Sequence, residues 1–336
     1  MGRVPITGKW SGRSRGESRT QSGVARLLGD SEPMVALRSA VSRAAAAPFP
    51  VLIEGESGTG KELVARALHE EGPRRDEPFS AVNCATFSDD LIETELFGHA
   101  KGAFTGAVQA RRGLLEASSG GTVFLDEVGE LSPRAQAKLL RTLQDGEIRK
   151  LGENVIRRLD LRVVAATNRT LAGEAAKGRF RHDLLYRLDV VHVAVPPLRD
   201  RGRDIEKLAT HYWGRALEQT RGRARLARET MTALTAHEWP GNVRELQNVM
   251  AALAVAAPAH GEVGPELLPA AIRRAAEDHR PTLAEARRAF DRAFVRAALV
   301  RAGGRRSRAA RELGVSRQGL AKLVTRLGLS EPPATR

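Results

Sequence analysis

The sequence predicts a parallel α/β domain, followed by a smaller all-α subdomain and a separate helical domain near the C-terminus. Short apolar runs that are typical of buried parallel strands alternate with helical patterns, and two of these runs lead into glycine-rich or acidic segments. The apolar runs cover 49–53, 122–125 and 161–166, and the helical patterns before and between them include 31–47 and 134–144. Because strands and helices alternate, a parallel sheet is favoured.

The strand pattern ends at Pro196-Pro197, and only helical patterns follow it. These cover 204–219, 228–237, 242–256 and 282–329, while residues 258–269 have the composition of a linker. The expected segments are a disordered basic tail at 1–27, an α/β subdomain at 28–196, a helical subdomain at 197–257, a linker at 258–281 and a helical domain at 282–336. A chain of 336 residues is long enough for two or three domains, each with its own core.

Positive charge is concentrated at the two ends of the chain. The net charge is +14, of which residues 280–336 contribute +10 and residues 1–25 contribute +4, so the long middle is neutral. A folded basic end favours contacts with a phosphate backbone, although a basic face can also be simply solvated.

The single cysteine, Cys84, rules out an internal disulfide framework and suits a reducing, cytoplasmic location. We expect Cys84 to be a small half-buried residue. The sequence has no apolar run of about 18 residues, so no membrane span is predicted.

A glycine-rich loop follows the first apolar run. The segment Gly55-Glu56-Ser57-Gly58-Thr59-Gly60-Lys61 fits the pattern G-x-x-x-x-G-K between a strand and a helix. Glycines allow the backbone N–H groups to surround phosphates, and the following helix N-terminus adds a favourable dipole. We therefore expect ATP here, with Lys61 reaching its β- and γ-phosphates. The generic pattern continues with a Ser or Thr for Mg²⁺, whereas this chain has Glu62, whose carboxylate could equally face solvent.

Two carboxylates end the second apolar run. Asp126 and Glu127 follow Thr122–Leu125, so they should lie beside the glycine-rich loop at the carboxyl edge of the sheet. Asp126 would hold Mg²⁺ directly or through water, and Glu127 would polarise the attacking water. Asn168 follows the third run and Asn83 lies in Val82-Asn83-Cys84-Ala85. Either asparagine alone is more often a turn or capping residue, but together with the acids they favour a site for ATP hydrolysis.

Three arginines lie in segments that allow two interpretations each. Arg181 and Arg187 are six residues apart within 180–188, and in isolation they would form weak surface ion pairs. Arg244 lies in 239–246, where Pro240-Gly241-Asn242 is typical of a helix N-terminus.

Residues 306–323 predict two helices joined by a tight turn. Ala309, Ala310 and Leu313 lie on one face of the first helix, and Leu320, Leu323 and Leu327 lie on one face of the second. Gly314 allows the turn and Ser316 caps the second helix, which is the spacing of a helix-turn-helix. The residues expected to contact double-stranded DNA are Ser307, Ser316, Arg317, Gln318 and Lys322. Gly319 either lets the backbone approach DNA closely or weakens this helix, and a hairpin used only for dimerisation is the alternative.

The hexapeptide Gly102-Ala103-Phe104-Thr105-Gly106-Ala107 lies between the glycine-rich loop and the two acids. Glycines near both ends predict a mobile loop with one aromatic at its tip, and the alternative is an ordinary glycine-rich connection. With the preceding Glu95-Leu96-Phe97-Gly98-His99-Ala100-Lys101, it closely resembles the signature loop of the sigma-54-dependent transcription activators, also called bacterial enhancer-binding proteins. The resemblance runs from about Asp30 to Leu329 and rests on all the motifs above.

This resemblance implies a fold and an activity. The fold is a P-loop ATPase of the AAA+ class with a parallel sheet and an α-helical lid, plus a C-terminal Fis-type helix-turn-helix domain. The activity is an ATPase that uses ATP and Mg²⁺, binds an upstream enhancer and remodels the closed complex of sigma-54 RNA polymerase. The active form would be a homo-oligomer, by resemblance a hexamer.

The resemblance also implies roles for individual residues. The hexapeptide would contact the sigma factor, with Phe104 and Thr105 pushing on it. Asn83 would pair with the catalytic Glu127, and Asn168 would be a polar sensor between the two acids and the γ-phosphate. Arg181 and Arg187 would be arginine fingers that reach a neighbouring subunit's ATP, and Arg244 would be a second sensor in the lid. At the position of Glu62 the family commonly has a glutamate, as this chain does. At the position of Ala100, just before Lys101, the family usually has an acidic residue, so this chain departs from the pattern there.

Two other functions remain compatible with parts of the sequence. A DNA-linked AAA+ remodeller with another client, such as a helicase loader, would share both nucleotide motifs but would not need the hexapeptide. A non-catalytic DNA-binding repressor would keep the helix-turn-helix but could lose Glu127 or the arginine fingers.

Overall fold

The computed structural model describes residues 23–104, 107–278 and 306–327, and between the last two ranges it describes 290–291, 294–295, 297–299 and 301–302. The expected tail at 1–22 and the loop residues Thr105 and Gly106 lie outside these ranges. The chain divides into two compact units, with the boundary between Ile272 and Arg273. In the described part of the chain, no helix is long and apolar enough to cross a membrane.

A five-stranded parallel sheet forms the centre of the first unit. The strands, in chain order, are β1 (Val51–Glu54), β2 (Phe79–Asn83), β3 (Gly98–His99), β4 (Arg111–Arg112), β5 (Thr122–Asp126), β6 (Glu147–Ile148), β7 (Arg157–Arg158), β8 (Arg162–Thr167), β9 (Val191–Ala194), β10 (Arg225–Leu226) and β11 (Glu262–Val263). The order in the central sheet is β2-β5-β8-β1-β9, and every neighbouring pair in it is parallel. The predicted parallel α/β class is therefore confirmed.

Two strands of this sheet were not predicted as strands. The three apolar runs are β1, β5 and β8, which lie inside the sheet and are buried on both faces. The two others, β2 and β9, are the edge strands. Four of the five positions of β2 are half-buried and one is exposed, while β9 alternates buried or half-buried positions with exposed ones. A strand that buries only part of its surface has no continuous apolar run, so its sequence does not carry that signal.

Helices cover both faces of the sheet. They are α1 (Glu32–Ala45), α2 (Lys61–Glu70), α3 (Asp89–Phe97), α4 (Leu114–Ala117), α5 (Pro133–Asp145), α6 (Leu171–Ala176), α7 (His182–Leu188), α8 (Ile205–Thr220), α9 (Arg228–Ala236), α10 (Asn242–Ala256), α11 (Ala270–Asp278), α12 (Arg306–Glu312) and α13 (Arg317–Arg326). Short 3-10 helices are at Gly23–Arg26, Val128–Glu130, Leu198–Asp204 and Pro265–Leu267.

The core lies in two layers, one on each face of the sheet. Because successive side chains of a strand point to opposite faces, Val123 and Leu125 pack in one layer with residues of α3, α5 and α7. Phe124 packs in the other layer with residues of α1 and α2. This arrangement fixes the carboxyl ends of β1, β5 and β8 along one edge, where the loops that follow them meet.

The first described residues differ from the expected tail. Residues 23–26 form a 3-10 helix, Leu27 is buried, and the Val24 N–H donates to the Glu71 carboxylate at 2.9 Å. The expectation of disorder through residue 27 is therefore wrong for 23–27, because one short helix docks on α2 and supplies Leu27 to the core.

The helical subdomain is built from α8, α9 and α10, as expected, but it continues into the segment predicted as a linker. Within 258–269, β11 pairs in parallel with β10, and the Val263 carbonyl accepts a hydrogen bond from the buried Thr230 hydroxyl at 2.6 Å. The polar and proline-rich composition of residues 258–269 did not indicate this packing. Indole N–H groups of Trp213 and Trp239 donate to backbone carbonyls inside the subdomain.

The second unit contains a small helical core. Its buried residues come from the described positions of 295–302 and from α12 and α13, and they are Val295, Leu299, Ala302, Ala309, Ala310, Leu320, Val324 and Leu327. The apolar faces predicted for the two C-terminal helices are confirmed.

Candidate active site

The glycine-rich loop connects β1 to α2 through two residues with left-handed backbone. Gly58 has φ 78° and Gly60 has φ 99°, a region that favours glycine. Lys61 begins α2 and is buried, and its ammonium donates to the carbonyls of Gly55 at 2.8 Å and Glu56 at 3.3 Å. The cation is therefore held inside the loop, at the helix N-terminus where phosphate oxygens are bound most favourably.

Asp126 ends β5 and points into the same space. Burial raises the pKa of its carboxyl above the ordinary 3.8, and the nearby Lys61 ammonium opposes this only in part. The Glu127 N–H donates to Asp126 Oδ1 at 3.1 Å. A half-buried carboxylate whose charge is incompletely balanced is a suitable ligand for a hard divalent cation such as Mg²⁺.

Glu127 turns out of the strand and faces Lys61. Its backbone is left-handed, with φ 52°, which is uncommon for a residue other than glycine. Its Oε1 lies 3.7 Å from Lys61 Nζ, and its Oε2 accepts a hydrogen bond from the Asn168 backbone N–H at 3.2 Å. The end of β8 therefore orients this carboxylate through a backbone N–H group, and the sensor role expected of the Asn168 side chain stays a prediction.

Asn83 contacts a different acid from the one implied by the resemblance. Its side-chain Nδ2 donates to Asp126 Oδ2 at 3.3 Å, and its Oδ1 accepts from the Ala85 N–H at 2.9 Å. The register of β2 against β5 pairs Asn83 directly with Asp126. Glu127 lies one residue beyond the ladder, so the expected contact between Asn83 and Glu127 is not formed in this structure.

These groups surround a cavity of about 310 Å³. It is lined by Ser57, Gly58, Gly60, Lys61, Glu62, Leu63, Asp126, Glu127, Tyr212, Val243, Arg244 and Gln247. Arg244, at the start of α10, donates from Nη1 to the Ser57 hydroxyl at 2.9 Å, so the helical subdomain closes one side of the cavity. Glu62 is exposed and pairs with Arg66 at 2.8 Å, which agrees with a solvent-facing carboxylate.

Four residues at or near this cavity were not predicted from the sequence. Tyr212 and Gln247 line it from α8 and α10, and nothing in their local sequence marks them, because only the packing of the two helices brings them there. Arg199 and Asn242 were also missed as contacts of the loop: both hydrogen-bond to Glu56.

Arg181 and Arg187 lie at the two ends of α7, and neither is among the described residues that line the cavity of their own chain. Both side chains are exposed. The Arg181 guanidinium donates to both oxygens of Asp183, at 3.0 and 2.8 Å, which lowers the pKa of the Asp183 carboxyl below its usual range. Both arginines are therefore exposed at the surface, and Arg181 has a partner within its own chain.

Cys84 is more deeply buried than expected, with an exposed fraction of 2%. Burial, with the nearby acids Asp126 and Glu127, raises the pKa of its thiol to about 12. A thiol that stays protonated at neutral pH is a poor nucleophile.

The hexapeptide projects from a closed base. The Gly102 N–H donates to the Ala107 carbonyl at 2.8 Å, the Ala107 N–H donates to the Phe104 carbonyl at 3.0 Å, and Ala107 is buried. Phe104 is 47% exposed, and its ring lies in an edge-to-face arrangement with the His99 ring, with centroids 5.1 Å apart. Thr105 and Gly106, for which a sigma-factor contact is expected, lie outside the described residues.

The base of this loop is joined to the hairpin of β6 and β7. The Ala100 N–H donates to the Leu151 carbonyl at 2.9 Å, and the Leu151 N–H donates to the Gly98 carbonyl at 3.0 Å. Glu116 lies 3.1 Å from Lys150 Nζ, and so connects the segment after the loop to the same hairpin. A displacement of the hairpin would therefore carry the loop with it.

Comparison with known proteins identifies the family. The family model of the sigma-54 interaction domain matches residues 27–194, that of the AAA+ ATPase lid domain matches 199–285, and that of the Fis family of bacterial regulatory proteins matches 286–323. The chain belongs to the sigma-54-dependent transcriptional activators. Its first part is thus an AAA+ ATPase domain, and its C-terminal part is a Fis-type helix-turn-helix.

Individual relatives agree with this assignment. The chain is 42% identical over 308 residues to the transcriptional regulatory protein ZraR of Escherichia coli, which covers 89% of this chain and 68% of ZraR. It is 42% identical over 311 residues to the Nif-specific regulatory protein of Azotobacter vinelandii, covering 90% of this chain and 59% of that protein. The chain thus spans only about 59–68% of the length of these two relatives.

Crystal structures of NtrX from Brucella abortus have the same fold. In complex with ATP, NtrX matches with a TM-score of 0.69 and 35% sequence identity, covering 90% of this chain and 70% of NtrX. NtrX in complex with ADP gives the same TM-score and identity. The similarity of this sigma-54 activator to a nucleotide-bound AAA+ protein agrees with the cavity described above.

The Fis-type unit of this activator presents its polar residues outward. The residues expected to contact DNA, namely Ser307, Ser316, Arg317, Gln318 and Lys322, are all exposed. Gly314 has φ 66° in the turn, and the Ser316 hydroxyl accepts a hydrogen bond from the Gly319 N–H at 3.0 Å. The capping role predicted for Ser316 is therefore confirmed, while its contact with DNA stays a prediction.

Proposed function

We propose that this chain is an ATP-hydrolysing activator of sigma-54 RNA polymerase, which binds upstream DNA and remodels the closed promoter complex through the loop Gly102–Ala107. The observation that carries this proposal is the half-exposed ring of Phe104, held on a loop whose base is hydrogen-bonded to the AAA+ domain. An aromatic ring kept in water at the tip of a glycine-containing loop is costly for stability, and this cost is understandable if the ring binds a partner.

Hydrolysis would use groups that already meet at the sheet edge. Lys61 would bind the β- and γ-phosphates, and Asp126 would hold Mg²⁺, which neutralises phosphate charge when bound. Glu127, oriented by the Asn168 N–H, would take the proton of the attacking water. Asn83, through its bond to Asp126, would sense the occupancy of the metal position.

Assembly would complete the site. Arg181 and Arg187 are exposed and lie outside their own cavity, so we infer that they act on the ATP of a neighbouring subunit in a ring, by family resemblance a hexamer. Their guanidinium groups would spread charge over the γ-phosphate oxygens as these become more negative.

The C-terminal unit would anchor the ring at an enhancer. Arg317, Gln318 and Lys322 lie on the exposed part of α13, where a helix of this kind contacts base edges and phosphates in the major groove. The net charge of +10 in residues 280–336 would add a salt-dependent attraction to the DNA backbone.

The test is Phe104→Ala in the full chain. Open-complex formation on a sigma-54 promoter should fall to background, while ATP hydrolysis should stay within about twofold of the unchanged protein, because the residue lies outside the cavity and serves only the contact. Phe49→Ala is the matched control: Phe49 has a similar exposed fraction, 54% against 47%, and lies before β1, away from the loop. It should leave both activities intact.

Persistence of promoter opening in Phe104→Ala would overturn the proposal. Vigorous ATP hydrolysis and enhancer binding without any promoter opening by the unchanged protein would instead favour an AAA+ remodeller with another client. Loss of promoter opening in both Phe104→Ala and Phe49→Ala would mean that general stability, rather than the loop, limits activity.

A further inference from the structure

The carboxylate of Glu56 joins the glycine-rich loop to the helical subdomain. Arg199 donates to it from both ends of its guanidinium, Nη1 to Oε2 at 2.9 Å and Nη2 to Oε1 at 2.6 Å. The Asn242 side chain donates to Oε2 at 3.0 Å. Arg199 lies in the 3-10 helix between β9 and α8, and Asn242 is the first residue of α10. One side chain therefore ties together three segments that are far apart in the sequence.

Asn242 makes the tie specific. It is fully buried, and its Oδ1 accepts from the Leu198 N–H at 2.8 Å while its Nδ2 also donates to the Ser57 carbonyl at 3.1 Å. Its backbone is left-handed, with φ 54°. Asparagine tolerates this conformation better than most residues, but it persists only where surrounding contacts hold it.

The backbone of α10 also lies directly on the loop. The N–H groups of Val243 and Arg244 both donate to the Gly58 carbonyl, at 3.0 and 3.3 Å. A Cβ at Gly58 would collide with the Gly241 carbonyl oxygen. The loop and the helix N-terminus thus move together, and Arg244 is kept at the cavity by the same contacts.

Glu56 does not face the nucleotide cavity. It is absent from the described residues that line that cavity, although its neighbours Ser57 and Gly58 line it. The bidentate Arg199 and the Asn242 amide hold the pKa of the Glu56 carboxyl down to about 2. The residue is therefore charged throughout the neutral range, and its charge faces the lid rather than phosphate.

We propose that Glu56 is a positioning residue that clamps the helical lid onto the glycine-rich loop and so sets the affinity for ATP through Arg244. This rests on ATP binding at the site and is independent of sigma-54 activation. The clamp acts on ground-state binding, because the contacts of Lys61 and Glu127 do not involve the Glu56 carboxylate.

The experiment compares Glu56→Gln, Arg199→Ala and the double variant in the full chain. We measure the Kd for ATP by calorimetry, the KM and kcat of hydrolysis, and the Tm of the nucleotide-free protein. Each single variant raises Kd and KM about tenfold and changes kcat less than about threefold, as expected when charge-assisted hydrogen bonds that support ground-state binding are lost. The double variant is no weaker than the single ones, because the two side chains act as one contact.

The control is Glu70→Gln. Glu70 ends α2, the helix that follows the loop, and forms an ion pair of similar exposure with Arg26 at 2.9 Å. The Kd and KM of the Glu70→Gln variant should match those of the unchanged protein.

Three results would each overturn the clamp. These are an unchanged Kd for ATP in Glu56→Gln, multiplicative effects in the double variant, and an equal loss of affinity in Glu70→Gln. A lower Tm of Glu56→Gln with unaltered nucleotide binding would show that Glu56 has a purely structural role, and this result would also overturn the clamp. Because no assay contains DNA or sigma factor, a failure of the proposed activator function leaves these outcomes unaffected.

Discussion

The residue that best shows how function shapes this site is Asp126. A local pattern, two acids after an apolar strand, was enough to predict its position beside the glycine-rich loop. Its surroundings were not predictable from that pattern, because they depend on the register between β2 and β5 that sets Asn83 against it. Burial raises the pKa of this carboxyl, so the fold keeps a charge there at the expense of its own stability.

Replacing that charge should stabilise the nucleotide-free protein. At neutral pH the buried carboxylate opposes folding, and this penalty is relieved as pH falls through the raised folded-state pKa towards the ordinary value of 3.8. Asp126→Asn should therefore raise Tm at pH 7 and abolish Mg²⁺-dependent hydrolysis. The Tm advantage should shrink as the pH of a thermal-unfolding series is lowered.

The exposed Asp145 provides a comparison, since Asp145→Asn should change neither Tm nor activity. A lower Tm for Asp126→Asn at pH 7 would show that its hydrogen bonds with Asn83 and the Glu127 N–H outweigh its burial, and the interpretation of the raised pKa would be wrong.

At the scale of elements, the sequence predicted those whose burial is strongest. The inner strands β1, β5 and β8 and the long helices α5, α8 and α10 follow their apolar patterns closely. The edge strands β2 and β9 did not stand out, because each exposes part of its surface. The pairing of β10 with β11 across 35 intervening residues of helix and loop is a tertiary contact, so local composition suggested only a linker.

The cap of α13 offers a test at this scale. The Ser316 hydroxyl accepts the Gly319 N–H, and loss of such a cap costs about 1 kcal/mol, or roughly a fivefold change in local opening. Ser316→Ala should therefore speed amide hydrogen exchange in 317–324 about fivefold. Ser307→Ala, an exposed serine on α12, should leave that exchange unchanged. Equal exchange in the two variants would show that the core of Leu320 and Val324, rather than the cap, holds the helix.

At the scale of the whole molecule, Lys61 and Asp126, the groups proposed to bind phosphate and Mg²⁺, line one cavity of the AAA+ domain, and two exposed arginines lie outside it. The proposed function requires a second chain to bring such arginines to this cavity. The sequence alone could not distinguish whether Arg181 and Arg187 are arginine fingers or members of surface ion pairs. The distinction depends on where α7 lies relative to the cavity. The contact between Arg181 and Asp183 shows that such an arginine has a local partner available before it meets another chain.

Mixing two inactive variants tests whether the site is shared. Arg181→Ala and Glu127→Gln should each lower hydrolysis by roughly 10³-fold or more. In a mixture at equal concentrations, about a quarter of the interfaces in a random ring join an intact Glu127 to an intact neighbouring Arg181. ATP turnover should recover to roughly that fraction.

Size-exclusion chromatography should first show that both variants still assemble with ATP. Absence of recovery from assembled mixtures would mean that Arg181 acts within its own chain.

The sequence by itself determined the three inner strands of the sheet, the glycine-rich loop, the acids at the carboxyl edge, the hexapeptide and the helix-turn-helix, because each is specified by residues that are adjacent in the chain. Only the tertiary structure decided which acid Asn83 contacts, that residues 258–269 complete the lid, and that Glu56 faces Arg199 and Asn242 rather than the cavity. These outcomes depend on contacts between segments more than 30 residues apart, or on strand register. A short motif indicates the chemical role that a side chain can have, and tertiary packing determines which groups that side chain contacts.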